Sequence, residues 1–182
     1  MAGQTICGDN ARVWQLDNGN LLAALTDGLG HGHDAHKAAL MCLDTINEYR
    51  NVSLQEVFQR CNERLALTRG AALSLALFDK ELENVTYAGI GNITSTLVAK
   101  RTKQFLNTCG IVGQPPLTPP LLQSSDFHIG RDLLFMTTDG VSDNLNYTRY
   151  RPSLFPSLQT MAELVLLDGA TRADDAGVVV VN

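Results

Sequence analysis

Three runs, Ala71-Ala-Leu-Ser-Leu-Ala-Leu-Phe78, Val85-Thr-Tyr-Ala-Gly-Ile90 and Thr94-Ser-Thr-Leu-Val-Ala99, decide the fold class. Each is short, apolar and rich in strand-forming residues, and brief polar or glycine-bearing turns separate them. No helical segment intervenes. Strands that follow one another so closely pair antiparallel, because a parallel pair needs a long crossover. Working outward, the same pattern predicts strands over residues 104–107 (weakly), 121–129, 133–138 and 178–181. On the N-terminal side it predicts strands over 4–8, 11–15 and 21–26. The last two are joined across Asp17-Asn-Gly-Asn20, where Asn-Gly favours a tight hairpin.

Between these strand regions the period changes. Ala35, Ala38, Ala39, Cys42, Ile46 and Tyr49 recur at helical spacing. Ser53-Leu-Gln-Glu56 is a capping box, and Leu54, Val57, Phe58, Cys61 and Leu65 then form one apolar face. A last helix is predicted from about Ser157 to Leu167, ended by Gly169. The order is strands, two helices, many strands, helix, strand. It implies an α+β fold, a four-layer αββα sandwich in which two mainly antiparallel sheets are flanked by helices. Gly and Pro make residues 108–120 one long loop.

Composition narrows the function. The chain has 182 residues, and 14 Lys and Arg against 19 Asp and Glu give a net charge of −5. That length predicts a single domain over 1–182, able to bury about 70% of the unfolded chain's surface without disulfides or a structural metal. With 45% hydrophobic and 18% charged residues it reads as globular. No window approaches the ~18 unbroken apolar residues of a membrane span, and no basic run suits nucleic acid. The expected partner is a protein or a small molecule, with no nucleic acid and no membrane. Met1-Ala-Gly-Gln-Thr-Ile-Cys-Gly-Asp9 lacks the basic start and apolar stretch of a secretory signal, so the chain is expected in the cytosol. Cys7, Cys42, Cys61 and Cys109 are far apart with no Cys-x-x-Cys spacing, and read as free thiols serving as small core residues.

Four aspartates stand at predicted strand ends or starts: Asp9 after Gly8, Asp27 before Gly28, Asp139 before Gly140, and Asp174 in the pair Asp174-Asp175. Taken singly, an Asp-Gly pair is usually a turn. Taken as a set, strand ends of a sandwich can meet at one rim. Like charges ~4 Å apart repel by roughly 4 kcal/mol per pair at an effective dielectric near 20, so a gathered set calls for cations. All-oxygen ligands select Mg²⁺, Mn²⁺ or Ca²⁺ over zinc.

Two decoys share this region. Asp27-Gly-Leu-Gly-His-Gly32 could pass for a dinucleotide cradle, but counting from Gly28 the sixth place is His33 instead of Gly. A carboxylate at Asp27 would also repel a pyrophosphate. His31, His33, Asp34 and His36 suggest a zinc hydrolase, yet the Asp comes one place early for His-x-His-x-Asp-His. Outside that cluster the chain offers only His128.

Cys7-Gly-Asp9, Leu25-Thr-Asp-Gly-Leu-Gly-His-Gly32 leading into a helix, Arg60-Cys-Asn62 with Arg69-Gly-Ala71, Tyr87-Ala-Gly-Ile-Gly-Asn92, Thr138-Asp-Gly-Val141 and Arg172-Ala-Asp-Asp175 occur in that order. Together they resemble the PPM (type 2C) metal-dependent serine/threonine protein phosphatases, most closely the small stressosome phosphatases of the SpoIIE-like branch. The resemblance spans nearly the whole chain and implies the same sandwich. It implies two Mn²⁺ or Mg²⁺ ions, with a third left open. Asp27 would bridge the two, Asp9 and the carbonyl of Gly28 would complete one, and Asp139 and Asp174 would hold the other, with the choice between Asp174 and the adjacent Asp175 left open by the sequence. On that resemblance Asp27 and Asp139 would be the residues most directly tied to catalysis. Asp175, His31 and Asn92 would stand around the ions or the substrate.

The chemistry so implied is attack of a cation-activated hydroxide on phosphorus, with no cysteine nucleophile. The implied substrates are phosphorylated STAS-domain proteins of a bacterial stressosome. Many relatives carry His where this chain has Leu29, which leaves water or His31 to protonate the leaving group. Relatives outside the branch grip phosphate with an N-terminal arginine, for which Arg12 is a weak candidate. Two rival readings are a zinc-type hydrolase using His31, His33 and His36, and a catalytically weak phosphoprotein-binding module on the same fold.

Overall fold

The computed structural model describes residues 6–116, 118–171 and 174–182. Two antiparallel sheets form its centre. The first has the order β1 (Asp9–Gln15), β2 (Leu21–Gly28), β3 (Ala71–Asp79), β4 (Asn84–Ile90) and β7 (Gln123–Asp126). The second has the order β6 (Thr102–Phe105), β5 (Thr94–Val98), β8 (Leu133–Thr137) and β9 (Val178–Val181). Helices α1 (His33–Tyr49) and α2 (Leu54–Leu65) cover one side, and α3 (Leu158–Gly169) covers the other. This is the α+β, four-layer arrangement that the strand and helix periods predict.

The period-2 alternation of the strands builds the layers. Leu22 and Ala24 of β2 pack with Cys42, Ile46, Val57 and Phe58 of the two helices. The intervening Ala23 and Leu25 face the second sheet and meet Leu134, Met136 and Val179. In β8 the roles split the same way, with Leu133 and Phe135 turning outward to Tyr150, Met161 and Val165. Strands buried on both faces read as continuous apolar runs, which is why β3 and β8 were so legible. Phe135 has no exposed surface and touches the rings of Tyr147 and Tyr150. Its truncation to Ala should cost about 3–5 kcal/mol.

Local signals mark the element ends. Gly19 turns the β1–β2 hairpin at φ +83°, so Gln15 and Leu21 pair. The Ser53 hydroxyl accepts from the Glu56 amide at 3.3 Å, capping α2. Several expectations are corrected. Gln4 and Thr5 of the predicted first strand lie outside the described residues, and Ile6 to Gly8 are not strand. Gly8 instead donates its amide to the Asp175 carboxylate and accepts from the Gly28 amide, so its backbone serves the rim of the site. The weak strand at 104–107 shifts to Thr102–Phe105, because Asn107 leaves the ladder to bond the Gly91 and Ile93 carbonyls. The run at 121–129 pairs only over Gln123–Asp126. Two 3₁₀ turns, Tyr147–Arg149 and Pro152–Leu154, had no periodic signal to announce them.

Candidate active site

The site is assembled where one end of each sheet meets the other. Asp9 opens β1 and lies directly opposite Asp27 of β2, which puts both side chains on one face at neighbouring positions. From the second sheet, Asp139 follows β8 and Asp174 precedes β9, and these strands pair so that Thr137 faces Val178. The sheets are stitched together here by Thr138. Its hydroxyl donates to Asp9 at 2.7 Å and accepts from the Gly177 amide at 2.7 Å. Thr138 opens the motif Thr138-Asp-Gly-Val141, but nothing along the chain signalled this tie between the sheets. Its tie to Asp9 joins positions 129 residues apart.

Asp27, Asp139 and Asp174 line one cleft of about 540 Å³ together with His31 and Asn92. Leu29, Ile111 and Ala72 make its apolar wall. Among the described residues no Lys or Arg lines it. The Asn92 amide donates to Asp139 at 2.7 Å. Asp175 behaves differently from its neighbour. Its carboxylate accepts the Gly8 amide at 2.6 Å, and its own amide bonds the Asp174 carboxylate at 2.9 Å. Asp174 therefore lines the cleft, while Asp175 ties the chain before β9 to the segment before β1.

Gly28 closes β2 and Gly140 lies in the turn from Thr138 to Val141, but close packing is what excludes a side chain at both. A side chain on Gly28 would stand 2.0 Å from the Ala35 carbonyl, and one on Gly140 would stand 1.8 Å from the Asp175 carbonyl. At both, the backbone of another element passes too close for any Cβ. The Asp-Gly pairs thus record close approach of chain segments at the rim.

Electrostatics follow from the crowding. Burial and the nearby Asp9 and Asp139 carboxylates push Asp27 up to about 8. Burial also raises Asp9, partly offset by the Thr138 hydrogen bond. Burial and Asp174 raise Asp139 against the pull of Asn92. Three carboxyls displaced in one direction, with no Lys or Arg lining the cleft among the described residues, form a cluster short of positive charge. Among the described residues no three His, Cys, Asp or Glu side chains stand as a closed coordination shell. Without a counter-charge the acids turn to Thr138, Asn92 and each other. The donors are all oxygen, which suits hard divalent cations.

The histidines are not brought together. His31 lines the carboxylate cleft, whereas His33 and His36 line a separate hollow along α1 with Lys37 and Glu48. His36 Nδ1 lies 2.8 Å from the Cys7 carbonyl oxygen. A shared zinc shell for His31, His33 and His36 is therefore not built. Arg12 sits over the Trp14 ring, 5.8 Å from its centroid, and borders a hollow beside α3 instead of lining the carboxylate cleft. Among the cysteines, Cys42 and Cys61 are core residues as expected, but Cys7 and Cys109 are exposed and Cys109 lines the cleft. Their placement is set by loops, where apolar character predicts little.

A family model described as stage II sporulation protein E (SpoIIE) matches residues 17–182. The chain belongs to the SpoIIE family. Within this SpoIIE-family chain, 103 residues are 29% identical to "Phosphoserine phosphatase RsbX" of Bacillus subtilis (strain 168), a match covering 57% of this chain and 51% of that protein. The match spans about half the length of that relative. A solved structure described as "The bacterial stressosome: a modular system that has been adapted to control secondary messenger signaling" superposes with a TM-score of 0.92 at 27% identity, covering 100% of this chain and 94% of that one. The structure of RsbX in complex with magnesium superposes at 0.83 with 22% identity, covering 98% and 88%. At that identity the likeness speaks for the fold, and it is the same sandwich. Among the described residues no helix is long and apolar enough to cross a membrane.

Proposed function

We propose that this chain is a divalent-metal-dependent protein serine/threonine phosphatase, with residues 1–182 acting as one catalytic domain. The observation behind this reading is the meeting of Asp27, Asp139 and Asp174 at one cleft, with Asp9 opposite Asp27 and Asp27 raised to about 8 by burial and that company. Membership of the SpoIIE family and likeness to a phosphoserine phosphatase support it. Asp27 would bridge two Mn²⁺ or Mg²⁺ ions, Asp9 and the Gly28 carbonyl would complete one, and Asp139 and Asp174 would hold the other. Such cations, when bound, supply a hydroxide at neutral pH and offset charge on the phosphoryl oxygens.

The chain's own residues position the reaction. Thr138 aims the Asp9 carboxylate, and Asn92 holds that of Asp139. Leu29 and Ile111 form an apolar bank beside the acids, against which the substrate's backbone can lie and exclude water. His31, which lines the same cleft, or a water would give a proton to the departing serine or threonine oxygen. The proposed substrates are phosphorylated STAS-domain proteins of a stressosome, met in the cytosol. The phosphatase likeness and the stressosome structure among the neighbours support that choice.

The test is dephosphorylation of phosphoserine and phosphothreonine proteins with added Mn²⁺, with Asp139→Ala as control. Turnover that requires Mn²⁺ and vanishes in the variant is expected. A preference for phosphotyrosine, or binding of phosphoproteins with no turnover, would overturn the reading. Chelation followed by Zn²⁺ or Mn²⁺ should restore activity with Mn²⁺ only.

A further inference from the structure

We infer that a groove at the opposite end of the second sheet is a docking site for an acidic, partly apolar segment of a protein partner. Its volume is about 810 Å³, larger than that of the carboxylate cleft. Val98, Leu133, Tyr150 and Pro152 supply apolar lining, and Lys100 and Arg151 stand on its rim. Leu133 opens β8, whereas Asp139 follows the other end of that strand. Five extended residues at about 3.3 Å each put roughly 17 Å between the two ends of the strand.

Charge decides the occupant. Among the described residues Lys100, its neighbour Arg101 and Arg151 have no carboxylate within ion-pair distance. The acids nearby are already used. Asp132 is bound by Arg131 and His128, and Asp168 by Arg149. Two uncompensated cations, Lys100 and Arg151, therefore line one groove of a chain whose net charge is −5, and Arg101 adjoins Lys100 in sequence. Next to it, Ile129 and Leu154 leave 51% and 66% of their surface in water. A track for nucleic acid would need cations along its length, and would leave this apolar lining unused. A segment alternating acidic and apolar side chains satisfies both features at once.

The probe is a fluorescein-labelled peptide of alternating Glu and Leu, titrated with the full chain and followed by anisotropy. No turnover is involved, so the result is independent of the phosphatase reading. Saturable binding is expected, weaker at higher salt and at least about tenfold weaker in Lys100→Glu/Arg151→Glu. The neutral pair Lys100→Gln/Arg151→Gln should fall between the two, with circular dichroism of both variants unchanged. A peptide with Lys in place of Glu, and an oligothymidylate, should bind far more weakly. Absence of saturable binding, equal affinity in all three proteins, or tighter binding of the oligothymidylate would overturn the inference.

Discussion

Just before β8, Asp132 exposes 2% of its side chain and accepts hydrogen bonds from Arg131, at 2.9 Å, and from the His128 amide, also at 2.9 Å. Beyond the far end of the same strand, Asp139 shares a cleft with Asp27 and Asp174, and among the described residues no Lys or Arg lines it. Burial raises the Asp132 pKa, but the bonds from Arg131 and His128 outweigh it and hold the carboxyl below its ordinary value. At the other end burial and like charge act together, and Asp27 rises to about 8. One strand thus carries an acid whose partners are built into the fold and a cluster whose partners must be supplied. The first is a structural device. The second is where binding energy from outside the chain can be used.

Breaking the cluster should have the largest effect. With Mn²⁺ present, Asp27→Asn or Asp139→Ala is expected to lower kcat on p-nitrophenyl phosphate by about a thousandfold or more, while circular dichroism remains unchanged. Retention of even a tenth of the activity would mean that these acids do not hold the catalytic ions. Breaking the other end should act on stability alone. Asp132→Ala leaves the His128 amide without its acceptor, and should cost about 2–3 kcal/mol, a fall in Tm of roughly 5–10 °C, with kcat intact below the new Tm.

The two ends should also respond to pH with opposite sign. Asp27 binds its proton more tightly in the folded state, so the metal-free protein gains from it below about pH 4 and loses that gain as pH rises from there to about 8. Asp132 contributes above its ordinary value of 3.8, and its contribution is lost as pH falls through the lowered folded value. Metal-free Tm should therefore decline between pH 5 and pH 8, with Asp27→Asn flattening the slope and Mn²⁺ lifting Tm most at pH 8. A metal-free Tm that rises over that interval would contradict the charge-deficient cluster.

Smaller effects sharpen the picture. Asn92→Ala removes one hydrogen bond to Asp139 and should lower kcat by about three- to tenfold without moving Tm measurably. His33→Ala, on the separate hollow along α1, should change kcat less than about twofold. A large loss there would revive a histidine-based centre.

Much of this was legible in the chain because the signals are local. Alternating or continuous apolar runs locate the strands, Ser53 and Glu56 set the start of α2, and Asn18-Gly19 turns the first hairpin. Those signals arise from backbone hydrogen bonding and burial of one face, which neighbouring residues determine. The Asp-Gly pairs pointed to Asp27 and Asp139, which the fold brings to one cleft, although what excludes a side chain at the glycines is close packing against Ala35 and Asp175. The fate of residues 6–8 was illegible, because a carboxylate 167 positions away claims the Gly8 amide.

By itself, then, the sequence determined the layers, the antiparallel pairing and the acids worth watching. The tertiary structure alone decided that Asp174 faces the cleft while Asp175 braces the rim, that Thr138 joins the sheets, that His31 parts company with His33 and His36, and that unpaired cations collect at the far end of β8. Those outcomes depend on the order of strands within each sheet and on how one sheet lies over the other. Such relations bring together residues more than a hundred positions apart, and no periodicity along the chain encodes them.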